Sequence, residues 1–384
     1  MSVIFLTKSK RTFLFVIILM SPIFINLNVG AGLRFDANPF NYLGAPSLPV
    51  SLFLVLILGL SKISRLRMPI QVYFFLILSS IYLIGGALYG GGRSLILFVS
   101  MSAPILNYYI MREHFTYSTK NTSPVSTIYI AMSILILSKF ILDVSLYGSL
   151  YSEYFIFKWV VIYSYYDYFP FLYFVGILLA LDCLINGDKK LLSILMIAVC
   201  FVCIFSGHSR LYMALSLFSV PLLLFFNIAR IRVYDAGVAS MLFVLIVTLC
   251  VALNDTKGTD NSFSERFHHW QEFIGFFDWE DLFVPFSNEY RRSLAAGSFH
   301  NEFLEIFSYF GLVVLLYFFI LLVIFRSVDT VYRAISITIL VSLIFGSLIQ
   351  LNFTNPYLGI VWSTILAAMS NRAGGQNLGL VRLK

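Results

Sequence analysis

Charge is what this sequence has least of. Asp, Glu, Lys and Arg make up 12% of its 384 residues, whereas a soluble domain carries about 25%. So few charges cannot cover the surface of a soluble globule of this size. That excludes a soluble enzyme, a disordered chain and a nucleic-acid-binding domain. Cysteine is scarce as well. The four, Cys183, Cys200, Cys203 and Cys250, all fall inside apolar runs. Cys200 and Cys203 have C-x-x-C spacing, but no neighbouring residues complete a ligand set. They read as small apolar side chains in a span. An Asp-x-Asp motif for a sugar-nucleotide enzyme is missing, and so is any convincing internal repeat.

Hydrophobic residues supply 59% of the chain, with 39 Phe and 23 Tyr. Such aromatic content suits membrane spans belted by rings at both interfaces. A bilayer core needs about 20 apolar residues per helix. Twelve runs qualify, near 12–29, 47–61, 69–86, 94–111, 124–145, 169–186, 191–205, 211–228, 237–253, 303–325, 334–351 and 355–371. The expected fold is therefore an all-α polytopic membrane protein of about 12 transmembrane helices, forming one integral membrane domain over residues 1–384. The basic start (Lys8, Lys10, Arg11) leads into the first run, which reads as an uncleaved span.

Basic residues set the orientation. With both termini cytoplasmic, 17 of the 26 Lys and Arg fall in inside segments, eight outside, and Lys139 within a span. Every inside segment then carries at least two, as the positive-inside rule requires. The net charge of +7 thus reports topology.

Two outside loops are long, 146–168 and 254–302. The second holds nine of the 19 acids, three of the five histidines and two of the four tryptophans. Loops this long are functional or disordered. Aromatics throughout this one (Phe267, Trp270, Phe273, Phe276, Phe277, Trp279, Phe283, Phe286) favour short helices on the membrane surface. Rings and carboxylates together also suit sugar binding.

The loop ends in Gly297-Ser298-Phe299-His300-Asn301-Glu302-Phe303-Leu304-Glu305. Ser298 is a candidate N-cap, which puts His300 in the first helical turn. The positive end of the helix dipole keeps an imidazole there neutral and able to accept a proton. Asn301 and Glu305 are four apart and share a face. The plainer alternative is that these polar residues mark a water interface. A second cluster, Ser206-Gly207-His208-Ser209-Arg210, forms a short outside turn with its cation at a helix start. Such a site suits an anion, although a lone boundary arginine also snorkels to headgroups. Arg266, Arg291 and Arg292 lie on the same side, and the planar guanidinium binds phosphate oxygens in pairs.

At these clusters the chain resembles the O-antigen polymerase and O-antigen ligase superfamily of bacterial surface polysaccharide assembly. Ser206-Gly207-His208-Ser209-Arg210 is similar to that family's S-x-S-R turn, departing from it at His208. Arg266 with Trp270 resembles its R-x-x-x-W element. The run from Gly297 through His300-Asn301, Leu304 and Gly311 is similar to its H-N-x-x-L…G signature. Order and spacing agree over roughly residues 190–330, while residues 1–190 match only in general architecture. The repeated R-x(10)-G loop motif of some members is lacking.

The resemblance implies a GT-C-like helical frame and a metal-independent glycosyltransferase that needs no cofactor. Its substrates would be undecaprenyl-diphosphate-linked glycans, handled on the periplasmic or extracellular face of the bacterial inner membrane. A chain-length regulator is an implied protein partner. Arg210 would hold the diphosphate with help from Arg291 or Arg292. His300 would serve the acceptor hydroxyl as base or orienter, Asn301 and Glu305 would hold the site, and Arg266 beside Trp270 would anchor the loop. A polymerase passes the growing chain to the next lipid-linked unit; a ligase passes it to lipid A core. The competing class is a transporter, for which intramembrane charge is the usual mark. Lys139, Asp143 and Asp182 qualify, although Lys139 and Asp143 are i,i+4 and can pair within one helix.

Overall fold

In the computed structural model the protein is all-α. The structure describes residues 8–20, 24–26, 47–49, 54–55, 57, 67–89, 92–118, 123–147, 168–185, 189–206, 210–253, 268, 270–275, 277–283, 301–347, 356–370 and 381–382. The chain forms two compact units. The first comprises Met1–Leu66, Leu106–Ile228 and Ile360–Ser370; the second comprises Arg67–Ile105, Ala229–Gly359 and Asn371–Lys384.

Helix α1 (Lys8–Met20) is followed by α2 (Ile70–Tyr89), α3 (Gly92–Ser118) and α4 (Pro124–Tyr147). Then come α5 (Tyr168–Ile185), α6 (Lys190–Ser206), α7 (Arg210–Ala229) and α8 (Val233–Leu253). The last four are α9 (Glu302–Phe310), α10 (Val313–Arg326), α11 (Arg333–Gly346) and α12 (Pro356–Met369). Extended structure among the described residues is limited to two short antiparallel pairs. Phe24–Asn26 pairs with Ser47–Pro49, and Arg67–Met68 with Val381–Arg382.

By length and composition, two of these helices can cross a membrane, with apolar windows Pro124–Ile141 and Val233–Cys250. A third is α7 if its two halves count as one span, bent by 44° between Phe218 and Val220. Pro221 supplies the cause, because it removes a helical donor and its ring crowds the preceding turn. Six shorter apolar helices match other expected runs, among them Ile70–Gly85, Phe169–Ile185 and Val313–Arg326. Large apolar side chains point outward along α7 and α8, including Phe218, Phe225, Ile228, Phe243 and Ile246. Outward apolar faces of this kind suit a lipid solvent.

The first unit is held by α4, α5 and α6, with α1 against α4. Gly176 lets them approach closely. A Cβ there would lie 3.0 Å from Ile136 Cδ1 and 3.2 Å from Cys200 Sγ. A buried asparagine ties α3 to α12 in the same unit. Asn107 Nδ2 lies 2.8 Å from both Ser363 Oγ and Thr364 Oγ1 and 3.2 Å from the Ile360 carbonyl. Polar side chains at such seams act as glue where apolar surfaces have lipid as an equal alternative.

In the second unit α10 packs against α2, α8 and α11, and α9 packs against α2 and α10. Tyr317 of α10 is fully buried and stacks on Phe75 of α2 at 5.7 Å. Phe318 stacks on Phe303 of α9 at 5.1 Å.

Candidate functional site

Where α9 begins, the sequence builds a fixed corner. Its N-cap is Asn301, in extended conformation, with Oδ1 accepting from the backbone N–H groups of Phe303 (3.1 Å) and Leu304 (3.2 Å). Asparagine is among the best caps because its side-chain oxygen satisfies donors that the helix leaves orphaned. Its amide is used as well: Nδ2 donates to Thr248 Oγ1 of α8 at 3.3 Å. Asn301 is fully buried, so both ends of its side chain are locked. The cap thus falls three residues later than Ser298, and His300 precedes it rather than sitting in the first turn of α9.

Glu305 lies one turn into α9. Its backbone N–H donates to the Asn301 carbonyl at 3.0 Å, and its side chain is buried, at 2% exposure. A carboxylate this far from water is rare in proteins unless its surroundings support it. Ser308 Oγ donates to the Glu305 carbonyl at 2.7 Å, which tightens the same turn.

A segment of the 254–302 loop is pinned to this corner. Residues 270–275 are helical, with Trp270 and Phe273 buried. The Phe277 ring then packs on Phe307 of α9 at 5.8 Å. A 3-10 turn follows at Trp279–Leu282, closed by Asp281 Oδ2 accepting from the Asp278 N–H at 2.9 Å. The Leu282 carbonyl accepts from the Leu312 N–H at 3.0 Å, at the junction of α9 and α10. That junction requires glycine. Gly311 has φ +51°, and a Cβ there would sit 2.2 Å from the Leu282 oxygen. Tyr82 of α2 adds a latch, its hydroxyl donating to the Phe283 carbonyl at 2.8 Å. Trp279 and Phe283 are exposed at the rim of this segment, and the exposed His268 lies 3.2 Å from the half-buried Glu272, four residues on.

The sequence-predicted residues divide as follows. Trp270, Asn301 and Glu305 all lie in the second unit, in or beside the pinned corner. Arg210 opens α7 in the first unit. Two residues on, Tyr212 is buried against Phe171 (6.3 Å) and Phe174 (6.4 Å) of α5. His300, Arg266, Arg291 and Arg292 lie outside the described residues, as do most of 146–168 and 254–302. Among the described residues, no group of three or more His, Cys, Asp and Glu is arranged to hold a metal.

Sequence reasoning missed Thr248, Tyr82 and Asp281. Thr248 carried a faint signal, as the one hydroxyl in the apolar run 241–250 of α8. Tyr82 had none, because a tyrosine in an aromatic-rich span looks like any other belt residue.

The wider arrangement offers a buried carboxyl group and a locked amide at a helix start, beside a loop docked by rings. Chemically, such a corner can hold a neighbouring side chain in one orientation relative to a bound polar substrate. No protein-family model matches the chain, and no curated protein matches it.

Proposed function

We propose that the protein is a membrane glycosyltransferase that polymerises lipid-linked oligosaccharide units. It moves the growing glycan from polyprenyl diphosphate to the next lipid-linked unit, on the outer face of a bacterial cytoplasmic membrane. Its frame in this reading is the twelve-span, GT-C-like one, with both termini cytoplasmic. The observation that carries the proposal is the locked Asn301 cap. It fixes the backbone at the residue after His300, within one turn of the buried Glu305.

The chemistry balances without a metal. An acceptor hydroxyl attacks the anomeric carbon, and the new glycosidic C–O bond forms as the bond to the diphosphate oxygen breaks. The hydroxyl proton passes to the imidazole of His300, and polyprenyl diphosphate leaves as an anion. Arg210 stabilises that anion with Arg291 or Arg292, since a guanidinium matches paired phosphate oxygens. Asn301 and Glu305 are positioning residues for His300. Arg266 and Trp270 anchor the outer loop. One displacement of this kind inverts the anomeric centre.

The test is direct. Purified protein in proteoliposomes, given lipid-linked repeat units, should yield a ladder of longer chains in the presence of EDTA. Loss of the ladder on chelation would refute the metal-independent step. His300→Ala should remove the ladder while the protein stays folded, and a fully active variant would remove the base assignment.

A further inference from the structure

Four arginines gather at one end of the second unit, and the reaction above uses none of them. Arg230 and Arg232 precede α8, Arg326 closes α10, and Arg333 opens α11. Packing brings these helix ends together. A Cβ at Gly237 of α8 would press on Leu322 of α10 and lie 3.2 Å from Leu340 of α11, so the three helices meet in one layer. From that layer, one turn along α8 leads back to its start at Val233. One turn along α10 leads to Arg326, and two turns back along α11 lead to Arg333. Ser336 Oγ donates to the Phe325 carbonyl at 3.1 Å, which stitches the first turn of α11 to the last of α10.

Charge at this end is unbalanced. The acids of the same stretches are Asp235 and Asp329. Asp329 spends its carboxylate as a cap, accepting from the Val331 N–H at 3.4 Å and from Thr330 Oγ1 at 3.3 Å. Among the described residues, no carboxylate pairs with any of the four arginines. Arg326 is exposed, and its guanidinium lies over the Tyr234 ring of α8, 5.1 Å from the centroid. A ring holds a guanidinium by its face, which leaves the in-plane N–H donors able to bind an anion.

Tyr234 also stands at the foot of an apolar stripe. Val238, Leu242, Leu245 and Leu249 follow it at helical spacing along one face of α8, and all four are exposed. A held cation at the foot of an outward apolar stripe has the shape of an amphiphile: an anionic head and a hydrocarbon tail.

We propose that this end of the second unit binds an anionic phospholipid of the surrounding membrane. Arg326 takes the headgroup phosphate, Arg232 and Arg333 add to the attraction, and an acyl chain lies along Val238, Leu242 and Leu245. In the proposed topology the lipid belongs to the cytoplasmic leaflet. The inference needs the membrane setting alone and stands apart from glycosyl transfer. The competing explanation is diffuse: basic residues on this side simply snorkel to whatever headgroups are near.

The experiment uses the full chain in detergent micelles holding equal amounts of phosphatidylglycerol and phosphatidylcholine, with bound lipids counted by native mass spectrometry. The wild-type chain should retain phosphatidylglycerol in preference. Arg326→Gln should lower that preference by about fivefold, the worth of one basic side chain at a lipid surface. Arg326→Lys should keep most of it, because the charge remains. Arg232→Gln, at an exposed position before α8, gives the same comparison if Arg326→Gln does not fold. Arg112→Gln, in the first unit, should leave the preference as it was. Folded Arg326→Gln or Arg232→Gln chains with wild-type preference would overturn the proposal. An equal loss in Arg112→Gln would do so too, since it would show a diffuse field rather than a site. Displacement of the lipid by glycerol 3-phosphate as readily as by phosphatidylglycerol would mark a free-phosphate site and contradict the lipid.

Discussion

Asn107 and Asn301 are both fully buried, and the protein uses them in opposite ways. Asn107 sits in the middle of α3 and spends its amide on α12, at Ser363, Thr364 and the Ile360 carbonyl. Ser363 and Thr364 already donate to that carbonyl, at 3.2 Å and 2.7 Å, so the asparagine joins a finished helix to its neighbour. Asn301 instead ends the backbone's freedom. Its oxygen closes the first turn of α9 and its amide reaches Thr248. The difference teaches that burial alone does not separate a structural polar group from one that shapes a site. What separates them is whether the group fixes where a helix begins or only a contact between finished helices.

That contrast can be broken or sharpened by substitution. Gly311→Ala should have the largest effect, because it adds a Cβ 2.2 Å from the Leu282 oxygen at φ +51°. It should cost about 3 kcal/mol, read as a lowered midpoint of thermal unfolding in detergent. Chymotrypsin should then cut the unlatched loop after the exposed Trp279 or Phe283 sooner. Asn301→Ala should come next, at about 2 kcal/mol for the lost cap and the stranded Thr248. Chain extension should fall by about a hundredfold, as expected when a base loses its orientation. Asn107→Leu should cost about 1 kcal/mol, with chain extension per folded molecule unchanged. Equal losses of turnover in the two asparagine variants would erase the distinction. Thr248→Val should be mildest, at about 0.5 kcal/mol, with a measurable rise in KM for the acceptor.

Much of the fold was legible because apolar runs report helices directly. The runs at 124–145 and 169–186 became Pro124–Tyr147 and Tyr168–Ile185 within a residue or two. Boundaries failed where polar residues continue a helix. Gly92–Ser118 runs seven residues past the expected end, through Arg112, Glu113 and His114, because nothing there breaks it. The run 303–325 is interrupted at Gly311 by the docked loop, a contact that no local pattern announces. At the candidate corner, the polar residues Asn301 and Glu305 were legible as one helix face, the start of that helix less so. Ser298 and Asn301 are both good caps, and Thr248, 53 residues away, is what favours Asn301. Lys139 is legible in the sequence as charge in a span, but the Phe169 ring under its Nζ, 5.2 Å to the centroid, needed the fold.

The central claim is bond transfer between two lipids, and stoichiometry tests it most directly. In proteoliposomes holding only this protein and lipid-linked repeat units, released undecaprenyl diphosphate should be counted against glycosidic bonds formed. The account predicts one diphosphate released for each unit added, with both quantities lost in His300→Ala. Movement of intact lipid-linked units across the bilayer, with no diphosphate released and no chain growth, would contradict it.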